Sequence, residues 1–192
     1  MITLKETLSC LASSDVQPGQ SLAIVGTGPV AQTLLLAAKL SGISPVVVFG
    51  RRSKWAERFA NLGADGYVAG EDISPDVQAI LARGGFDRVI EAVGARAALD
   101  RCLQIVGRAG RVNVYGVAPE SELYLAQQMG DPRVFRGKVA EAEMHDKLLR
   151  WLEQEKVDLA DWVSHSLSWT DYRRGFEMIE DKTANKVILS FQ

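Results

Sequence analysis

An α/β fold with a parallel β-sheet is predicted by the order of apolar segments in this 192-residue chain. Short apolar segments rich in β-branched residues recur along the sequence, and most are followed by a segment with helical spacing of apolar residues. Continuous apolar runs are typical of parallel strands that are buried on both faces of a sheet. Strands that alternate with single helices therefore predict a doubly wound parallel sheet with helices on both faces.

The stretch from Ser21 to Arg52 contains the clearest strand–turn–helix–strand pattern. It holds the buried-strand segment LAIV (22–25), the glycine turn GTGPVA (26–31), a helical pattern over 30–40 and a second strand VVVF (46–49). A glycine turn between a buried strand and a helix directs backbone N–H groups and the helix dipole toward an anion. The spacing G-x-G-x-x-A in this context predicts the pyrophosphate site of a Rossmann-type dinucleotide-binding fold.

The remaining elements are predicted from apolar spacing and turn residues. Predicted helices cover residues 3–13, 53–61, 74–83, 95–106, 141–154 and 170–180. Predicted strands cover residues 66–69, 86–90, 111–115, 133–137, 162–168 and 186–191, and residues 119–131 have no clear period. We expect a leading helix and turn (1–20), a dinucleotide-binding core (21–140) and a C-terminal helix–strand–helix–strand segment (141–192) that completes the domain.

The composition excludes several classes of protein. A formal net charge of −2 gives no general attraction to nucleic acid, so no nucleic-acid partner is predicted. No apolar run approaches the roughly 20 residues that span a bilayer, and the N-terminus lacks the pattern of a signal peptide. Cys10, Cys102, His145 and His165 are too scattered for a closed zinc site. We therefore expect a cytoplasmic protein without membrane contact, in which both thiols are buried and free.

The end of the second predicted strand indicates which dinucleotide is bound. NAD-preferring sites usually carry Asp or Glu there, whereas this chain has Gly50, Arg51, Arg52 and Ser53. A carboxylate would repel the 2′-phosphate of NADP, while a glycine leaves room and an arginine can bind the phosphate bidentately. The sequence therefore predicts NADP rather than NAD, with Arg51 favoured over Arg52. The alternative is that both arginines are simply solvated.

The chain resembles the cofactor-binding domain of the medium-chain dehydrogenase/reductase family, which includes the zinc alcohol dehydrogenase-like proteins. The resemblance is carried, in the right order, by VQPGQSLAIVGTGPVAQ (16–32), NLGAD (61–65), FDRVIEAVG (86–94), GRAGRVNVYGVAP (107–119) and NKVILSF (185–191). Residues 157–181 resemble the closing strand-and-helix portion of the family.

The resemblance implies a set of cofactor contacts. It assigns to the pyrophosphate Gly26, Gly28, Pro29 and Val30; to the adenosine ribose Gly50, Arg51, Arg52 and Ser53; to the adenine–ribose side Ala92, Val93 and Gly94; and to the nicotinamide Gly116 and Val117. Lys186 matches a basic position that reaches the pyrophosphate in relatives, or it is an ordinary exposed lysine beside a strand.

The chain departs from the family in one respect. Family members carry an N-terminal barrel-like catalytic domain, which supplies the zinc ligands, the proton relay and most of the substrate pocket. The sequence matches nothing of that domain, so we assign no catalytic residue and no metal ligand to this chain. We expect an NADP(H)-binding domain that holds the nicotinamide for hydride transfer with an alcohol, aldehyde or ketone, and little turnover by this chain alone. The alternative is a stand-alone nucleotide-binding or sensor module without catalysis.

Two other enzyme classes are disfavoured by the sequence. A short-chain dehydrogenase needs Tyr-x-x-x-Lys, and the residues four positions after the four tyrosines are Glu71, Pro119, Gln128 and Phe176. A methyltransferase usually has an acid where this chain has Gly50.

The predicted strand 133–137 is the candidate for a contact between two copies of the chain. Since family members often dimerise by pairing edge strands of this domain, the resemblance implies a homodimer through residues 133–137.

Overall fold

The computed structural model describes residues 2–70, 73–137, 139–157, 163–181, 183–184 and 186–191. The chain divides into two compact units, Met1–Asp146 and Lys147–Gln192. No helix formed by the described residues is long and apolar enough to cross a membrane.

The described residues of the first unit form a six-stranded parallel sheet with helices around it. Its helices are α1 (Ile2–Ser13), α2 (Pro29–Leu40), α3 (Ala56–Asn61), α4 (Pro75–Ala82), α5 (Arg96–Ile105) and α6 (Pro119–Gln128). Its strands are β1 (Leu22–Val25), β2 (Val46–Gly50), β3 (Gly66–Ala69), β4 (Phe86–Glu91), β5 (Val106–Val114) and β6 (Val134–Phe135). The strand order is β3-β2-β1-β4-β5-β6, with all pairs parallel. This is the order of a Rossmann-type doubly wound sheet, so the predicted fold class is confirmed.

The core of the first unit lies against both faces of the sheet. All four residues of β1 are buried, and so are the first four residues of β2. On one face, Ala23, Val25 and other strand residues share a cluster with buried residues of α4, α5 and α6. The helix α2 packs on β1 and β2, and α1 packs on α2. The continuous apolar strands predicted from the sequence are therefore buried from both sides.

The second unit contains the end of a helix and a small sheet. Helix α7 (His145–Glu153) begins at the end of the first unit and continues into the second. The strands β7 (His165–Ser168) and β8 (Val187–Ser190) pair in parallel and are connected through helix α8 (Tyr172–Glu180). Trp162 of the predicted strand 162–168 lies outside the described residues.

Helix α8 differs from its predicted packing. The helical spacing of Tyr172, Phe176 and Ile179 predicts that they pack against the fold, but their side chains are 41%, 66% and 42% exposed. The buried residue of α8 is Gly175, where an added Cβ would lie 3.2 Å from the side chain of Val187. Helix α8 thus lies close to the two-stranded sheet at its glycine and leaves its aromatic side chains uncovered in this unit.

The start of strand β5 differs from the prediction. Strand β5 begins at Val106, directly after α5, although residues 111–115 alone were predicted as strand. The register of β5 against β4 is irregular between Phe86 and Arg88, where the backbones approach so closely that a Cβ at Gly107 would lie 3.1 Å from the Gly84 carbonyl oxygen. Such an irregular start has no alternating apolar pattern, so the sequence did not reveal it.

Residues 119–131, which have no clear period, contain helix α6. Three predicted helices also begin with a 3₁₀ turn before their α-helical part. These turns are Ser53–Trp55 before α3, Glu141–Met144 before α7 and Trp169–Asp171 before α8. The residue before the turn Ser53–Trp55 is Arg52, which makes no side-chain capping hydrogen bond.

The two cysteines are buried and free, as predicted. Burial raises the pKa of the Cys10 thiol to about 12 and raises that of Cys102 as well. Because the thiolate is the reactive form, these thiols are not reactive groups at neutral pH.

Asp65 joins the start of β2 to helix α2. Its carboxylate accepts hydrogen bonds from the Val46 backbone N–H at 2.7 Å and from Lys39 Nζ at 2.8 Å. Partial burial acts to raise the pKa of Asp65, but the hydrogen bonds and the charge of Lys39 outweigh it and the pKa is lowered overall. The charged form of Asp65 therefore stabilises the fold.

Asp65→Asn should lower stability at neutral pH by about 1 kcal/mol, because a charge-assisted acceptor becomes a neutral amide. A lowered folded-state pKa contributes stability that is present above the unfolded pKa, near 4, and that is lost as pH falls through the folded value. The difference from wild type should therefore shrink below pH ~4. Chemical denaturation between pH 3 and 8 measures this.

Glu177→Gln is the matched control, since Glu177 is an exposed carboxylate on α8. Its unfolding curve should follow wild type across the same range. A deficit of Asp65→Asn that grows as the pH falls would contradict the role of the Asp65 charge.

Candidate functional site

The carboxyl ends of the parallel strands lie at one edge of the sheet. At this edge the strand order changes direction between β1 and β4, which are neighbours in the sheet but not in sequence. In open α/β sheets, the connections on the two sides of such a switch point leave a crevice between them. The loops that follow β1, β2, β4 and β5 therefore form the candidate site.

The backbone conformation at residue 26 and the atoms around it both require a glycine. Its φ is +137°, a conformation that side chains rarely adopt. An added Cβ would lie 3.1 Å from the Ala92 carbonyl oxygen and 3.2 Å from Val93 Cγ2. Gly26 thus lets the loop after β1 lie directly against the loop after β4.

Gly28 is different, because neither backbone conformation nor packing explains it. It precedes the first residue of α2, Pro29, with φ −76° and ψ −178°, which any residue adopts. No atom lies within 4 Å of an added Cβ, and both Gly28 and Pro29 are exposed, while Val30 is half-buried. The N-terminus of α2 therefore faces open space in front of Gly28.

The loop after β4 is held by the buried carboxylate of Glu91. This side chain is 1% exposed and accepts hydrogen bonds from the backbone N–H groups of Val93 at 2.8 Å and Gly94 at 2.9 Å. Burial raises the pKa of Glu91, while the N–H groups of Gly94, Val93 and Gly116 and the charge of Arg136 act in the opposite direction. Glu91 is thus a buried acid whose acceptor oxygens fix a loop.

The loops after β4 and β5 pack against each other. An added Cβ at Gly94, whose φ is +82°, would lie 2.8 Å from the Val117 backbone nitrogen. An added Cβ at Gly116 would lie 2.6 Å from Glu91 Oε2, so a side chain there would displace the carboxylate. The two glycines therefore allow the backbones to meet beside Glu91.

Two apolar side chains on these loops point away from the core. Val93 is 51% exposed and Val117 is 67% exposed, whereas Ala92 is half-buried. An apolar surface with few polar groups is typical of a pocket that receives a ring. The arrangement can bind a flat organic group at the ends of β4 and β5.

Gly50 is the last residue of β2, and Arg51, Arg52 and Ser53 follow it with exposed side chains. Among the ion pairs of the described residues, none involves Arg51 or Arg52. The Arg52 carbonyl oxygen accepts a hydrogen bond from the Tyr67 hydroxyl at 2.7 Å. Two cationic side chains thus stand at the end of a strand that carries no carboxylate.

Lys186 lies in the second unit, directly before β8, and is exposed. Its backbone exchanges hydrogen bonds with Ser164, which orders this end of the small sheet. Its contact with a pyrophosphate stays a prediction. Within the described ranges, no group of three or more His, Cys, Asp or Glu side chains could hold a metal ion.

Residues 29–154 match the protein family described as zinc-binding dehydrogenase. The chain belongs to this family. The matched segment covers α2 to the end of α7 and includes the loops after β2, β4 and β5. The resemblance read from the sequence motifs is thereby confirmed.

Curated relatives of this dehydrogenase domain include two bacterial proteins. An uncharacterized zinc-type alcohol dehydrogenase-like protein of Escherichia coli (strain K12) is 27% identical over 95% of this chain and 53% of its own length. An L-threonine 3-dehydrogenase of Rhizobium johnstonii is 26% identical over 90% of this chain and 51% of its own length. The chain spans about half the length of the curated relatives it matches.

Solved structures agree with the fold. The alcohol dehydrogenase TADH from Thermus sp. ATN1 superposes with a TM-score of 0.82 at 30% identity, over 99% of this chain and 57% of its own. An alcohol dehydrogenase of E. coli CFT073, determined in complex with NADH, superposes with a TM-score of 0.76 at 17% identity, over 98% of this chain and 58% of its own. The second likeness concerns the fold alone.

Sequence reasoning missed two residues of this candidate site. Glu91 lies inside the motif FDRVIEAVG, and an acid at the end of an otherwise apolar strand was a signal for it. Tyr67 gave no signal, because nothing in the sequence tells that a residue of β3 reaches the end of β2.

Glu91→Ala should lower the free energy of unfolding by about 2–4 kcal/mol, because two backbone N–H groups lose their acceptor and a cavity forms. Chemical denaturation at neutral pH measures this. Glu122→Ala is the control, since Glu122 is 45% exposed and pairs with Arg136 at 3.0 Å. That variant should lose about 1 kcal/mol or less.

Glu91→Gln separates the charge from the acceptor oxygen. A raised folded-state pKa contributes stability that is fully present below the unfolded pKa and is lost as pH rises through the folded value. The advantage of wild type over Glu91→Gln should therefore be largest near pH 4 and shrink toward pH 8. An advantage that grows with pH would show that the charged form is the one the loop requires.

Proposed function

We propose that this chain is an NADP(H)-binding domain of an alcohol dehydrogenase-like oxidoreductase. The observation that carries the proposal is the pair of features at the carboxyl edge of the sheet: an α2 N-terminus with open space in front of Gly28, and a β2 end with two exposed arginines and no carboxylate. The family and the fold support the proposal, because the site lies in a domain of the zinc-binding dehydrogenase family that superposes on an alcohol dehydrogenase.

The pyrophosphate fits the turn after β1. The space in front of Gly28 is open, although neither its backbone conformation nor a neighbouring atom requires a glycine there. The N-terminus of α2 beside it favours an anion through the helix dipole. Gly26 lets the Ala92 carbonyl group of the loop after β4 lie directly beside this turn. A phosphate can approach such a surface closely.

The 2′-phosphate of NADP fits the end of β2. Arg51 and Arg52 are exposed, and the guanidinium group binds phosphate in a bidentate manner. With Gly50 at the strand end, no carboxylate at that residue repels the phosphate. NADP(H) is therefore preferred to NAD(H) in this proposal, with Arg51 as the main contact.

The nicotinamide fits the loops after β4 and β5. Val93 and Val117 offer apolar surface, and Gly94 and Gly116 allow the two backbones to meet beneath it. When bound, the cofactor would supply the hydride chemistry, and this chain would supply the position of the ring. The substrate proposed for the whole protein is an alcohol, aldehyde or ketone, in keeping with the alcohol and threonine dehydrogenases among its relatives.

A homodimer is proposed through the edge of the large sheet. Strand β6 is an edge strand in the sheet order and pairs only with β5 among the described residues. An edge strand has backbone groups free to pair with a second copy. The division into a leading segment, a cofactor-binding core and a C-terminal segment is likewise proposed.

Calorimetric titration with NADPH and NADH tests the cofactor. Wild type should bind NADPH more tightly than NADH. Arg51→Ala should weaken NADPH binding about 10- to 100-fold, because a charge-assisted phosphate contact worth about 1.5–3 kcal/mol is lost. The same substitution should change NADH binding less than about 3-fold, since NADH lacks the phosphate.

Arg83→Ala is the matched control for Arg51→Ala. Arg83 is exposed and precedes β4, so it lies at the amino edge of the sheet, opposite the candidate site. This variant should bind both cofactors as wild type does. Tighter binding of NADH than NADPH by wild type would refute the NADP preference.

Gly28→Ala tests the pyrophosphate position. The φ of −76° accepts alanine and the added methyl meets no protein atom, so stability should change by less than about 1 kcal/mol. The methyl would stand where the phosphate approaches, so NADPH affinity should fall about 10-fold or more. Thermal denaturation and calorimetric titration give the two values.

Gly130→Ala is the control for the same change of residue. Gly130 follows α6, and an added Cβ would make an ordinary contact of 3.5 Å with the Gln127 carbonyl oxygen. Both stability and NADPH affinity should stay near wild type. Unchanged NADPH affinity in Gly28→Ala would place the pyrophosphate elsewhere.

A further inference from the structure

The space beside Gly50 is filled by a side chain from another strand. An added Cβ at Gly50 would lie 2.6 Å from Thr27 Cγ2 and 2.9 Å from Tyr67 Cζ, and closer still to the Tyr67 hydroxyl oxygen. Cβ atoms do not approach other atoms within 3.0 Å without displacing them. The φ of Gly50 is not among the positive values, so the backbone alone would accept another residue. Gly50 is therefore required by Tyr67 and Thr27.

Tyr67 is held in this position from three sides. It lies on β3 opposite Val48 of β2, and its ring stacks on the buried Phe59 with a centroid distance of 5.7 Å and an interplanar angle of 25°. Its hydroxyl donates to the Arg52 carbonyl oxygen at 2.7 Å. Burial raises the pKa of Tyr67, so the hydroxyl keeps its proton and remains a donor at neutral pH. The hydroxyl thus has a fixed place at the end of β2.

The same hydrogen bond fixes the turn that carries the arginines. Arg52 has extended backbone angles, φ −130° and ψ 127°, before the 3₁₀ turn that begins at Ser53. Since the Arg52 carbonyl oxygen accepts this hydrogen bond, Tyr67 holds the backbone at the point where the chain leaves β2. Tyr67, together with Thr27, therefore leaves no room for a side chain at residue 50, and Tyr67 also holds the turn that carries the two arginines.

We propose that Tyr67 is the residue that sets cofactor specificity at this site, by occupying the place of a side chain at residue 50 and by anchoring the turn of Arg51 and Arg52. This inference rests on the proposed NADP(H) function. It has a specific consequence: a carboxylate at residue 50 cannot reach a ribose while Tyr67 is present. Gly50→Asp alone would then strain the fold without creating an NADH site.

A cycle of four proteins tests this coupling: wild type, Gly50→Asp, Tyr67→Val and the double variant. Valine suits a strand and is too short to reach residue 50. Gly50→Asp should lower the melting temperature by at least about 5 °C in wild type and by less than half of that in the Tyr67→Val background. Thr27 stays in both backgrounds, so the difference reports Tyr67.

Calorimetric titration of the same proteins gives the second measurement. Gly50→Asp should leave NADH affinity unimproved in wild type and should raise it at least about 5-fold in the Tyr67→Val background. Tyr67→Phe keeps the ring and removes only the hydroxyl. It should weaken NADPH binding about 3- to 10-fold while changing NADH binding less, because the anchor of the arginine turn is lost.

The outcomes separate this inference from the proposed function. Effects of Gly50→Asp that are equal in both backgrounds, in melting temperature and in NADH affinity, would overturn the role of Tyr67 even if wild type prefers NADPH. A wild type that prefers NADH would overturn the proposed function, and with it the specificity role, whatever the melting temperatures show.

Discussion

The candidate site depends on close backbone contact between loops from different strands. At Gly26 the turn after β1 meets the Ala92 carbonyl group, and at Gly94 the loop after β4 meets the Val117 backbone. The carboxylate of Glu91 lies between these loops and accepts the N–H groups of Val93 and Gly94. Because the parallel strands end together, contacts at one point of this edge determine the shape of the whole crevice.

At the ends of β2 and β4, positive side chains are exposed and a carboxylate is buried. The carboxylate of Glu91, at the end of β4, is buried and accepts hydrogen bonds from backbone N–H groups, so it presents little charge to the outside. The arginines after β2 are exposed, and the hydroxyl of Tyr67 stands where residue 50 could have carried a carboxylate. Such a surface favours a ligand with several negative charges, even though the net charge of the chain is −2.

The long elements of the fold were predictable from the sequence because each has its own periodic signal. Strands β1 and β2 are continuous apolar runs, and α2 begins at a proline and ends where its apolar spacing ends. The predictions were wrong where contacts with residues distant in sequence determine the backbone path or the packing. The start of β5 depends on close approach to residues 84–86, and α8 leaves its aromatic residues uncovered because Gly175 is the residue that meets the small sheet.

By itself, the sequence determined the class of fold and the family, because glycine turns and apolar runs are local features. The positions proposed for dinucleotide binding were predicted from local features as well, namely the glycine turns and the charged strand end. The tertiary structure decided which of those glycines are required by neighbouring atoms and which lie beside open space. Gly26, Gly50 and Gly116 are fixed by neighbouring atoms, whereas Gly28 faces open space. It also brought Tyr67 to the end of β2, since pairing between β2 and β3 is a long-range contact that no local pattern records.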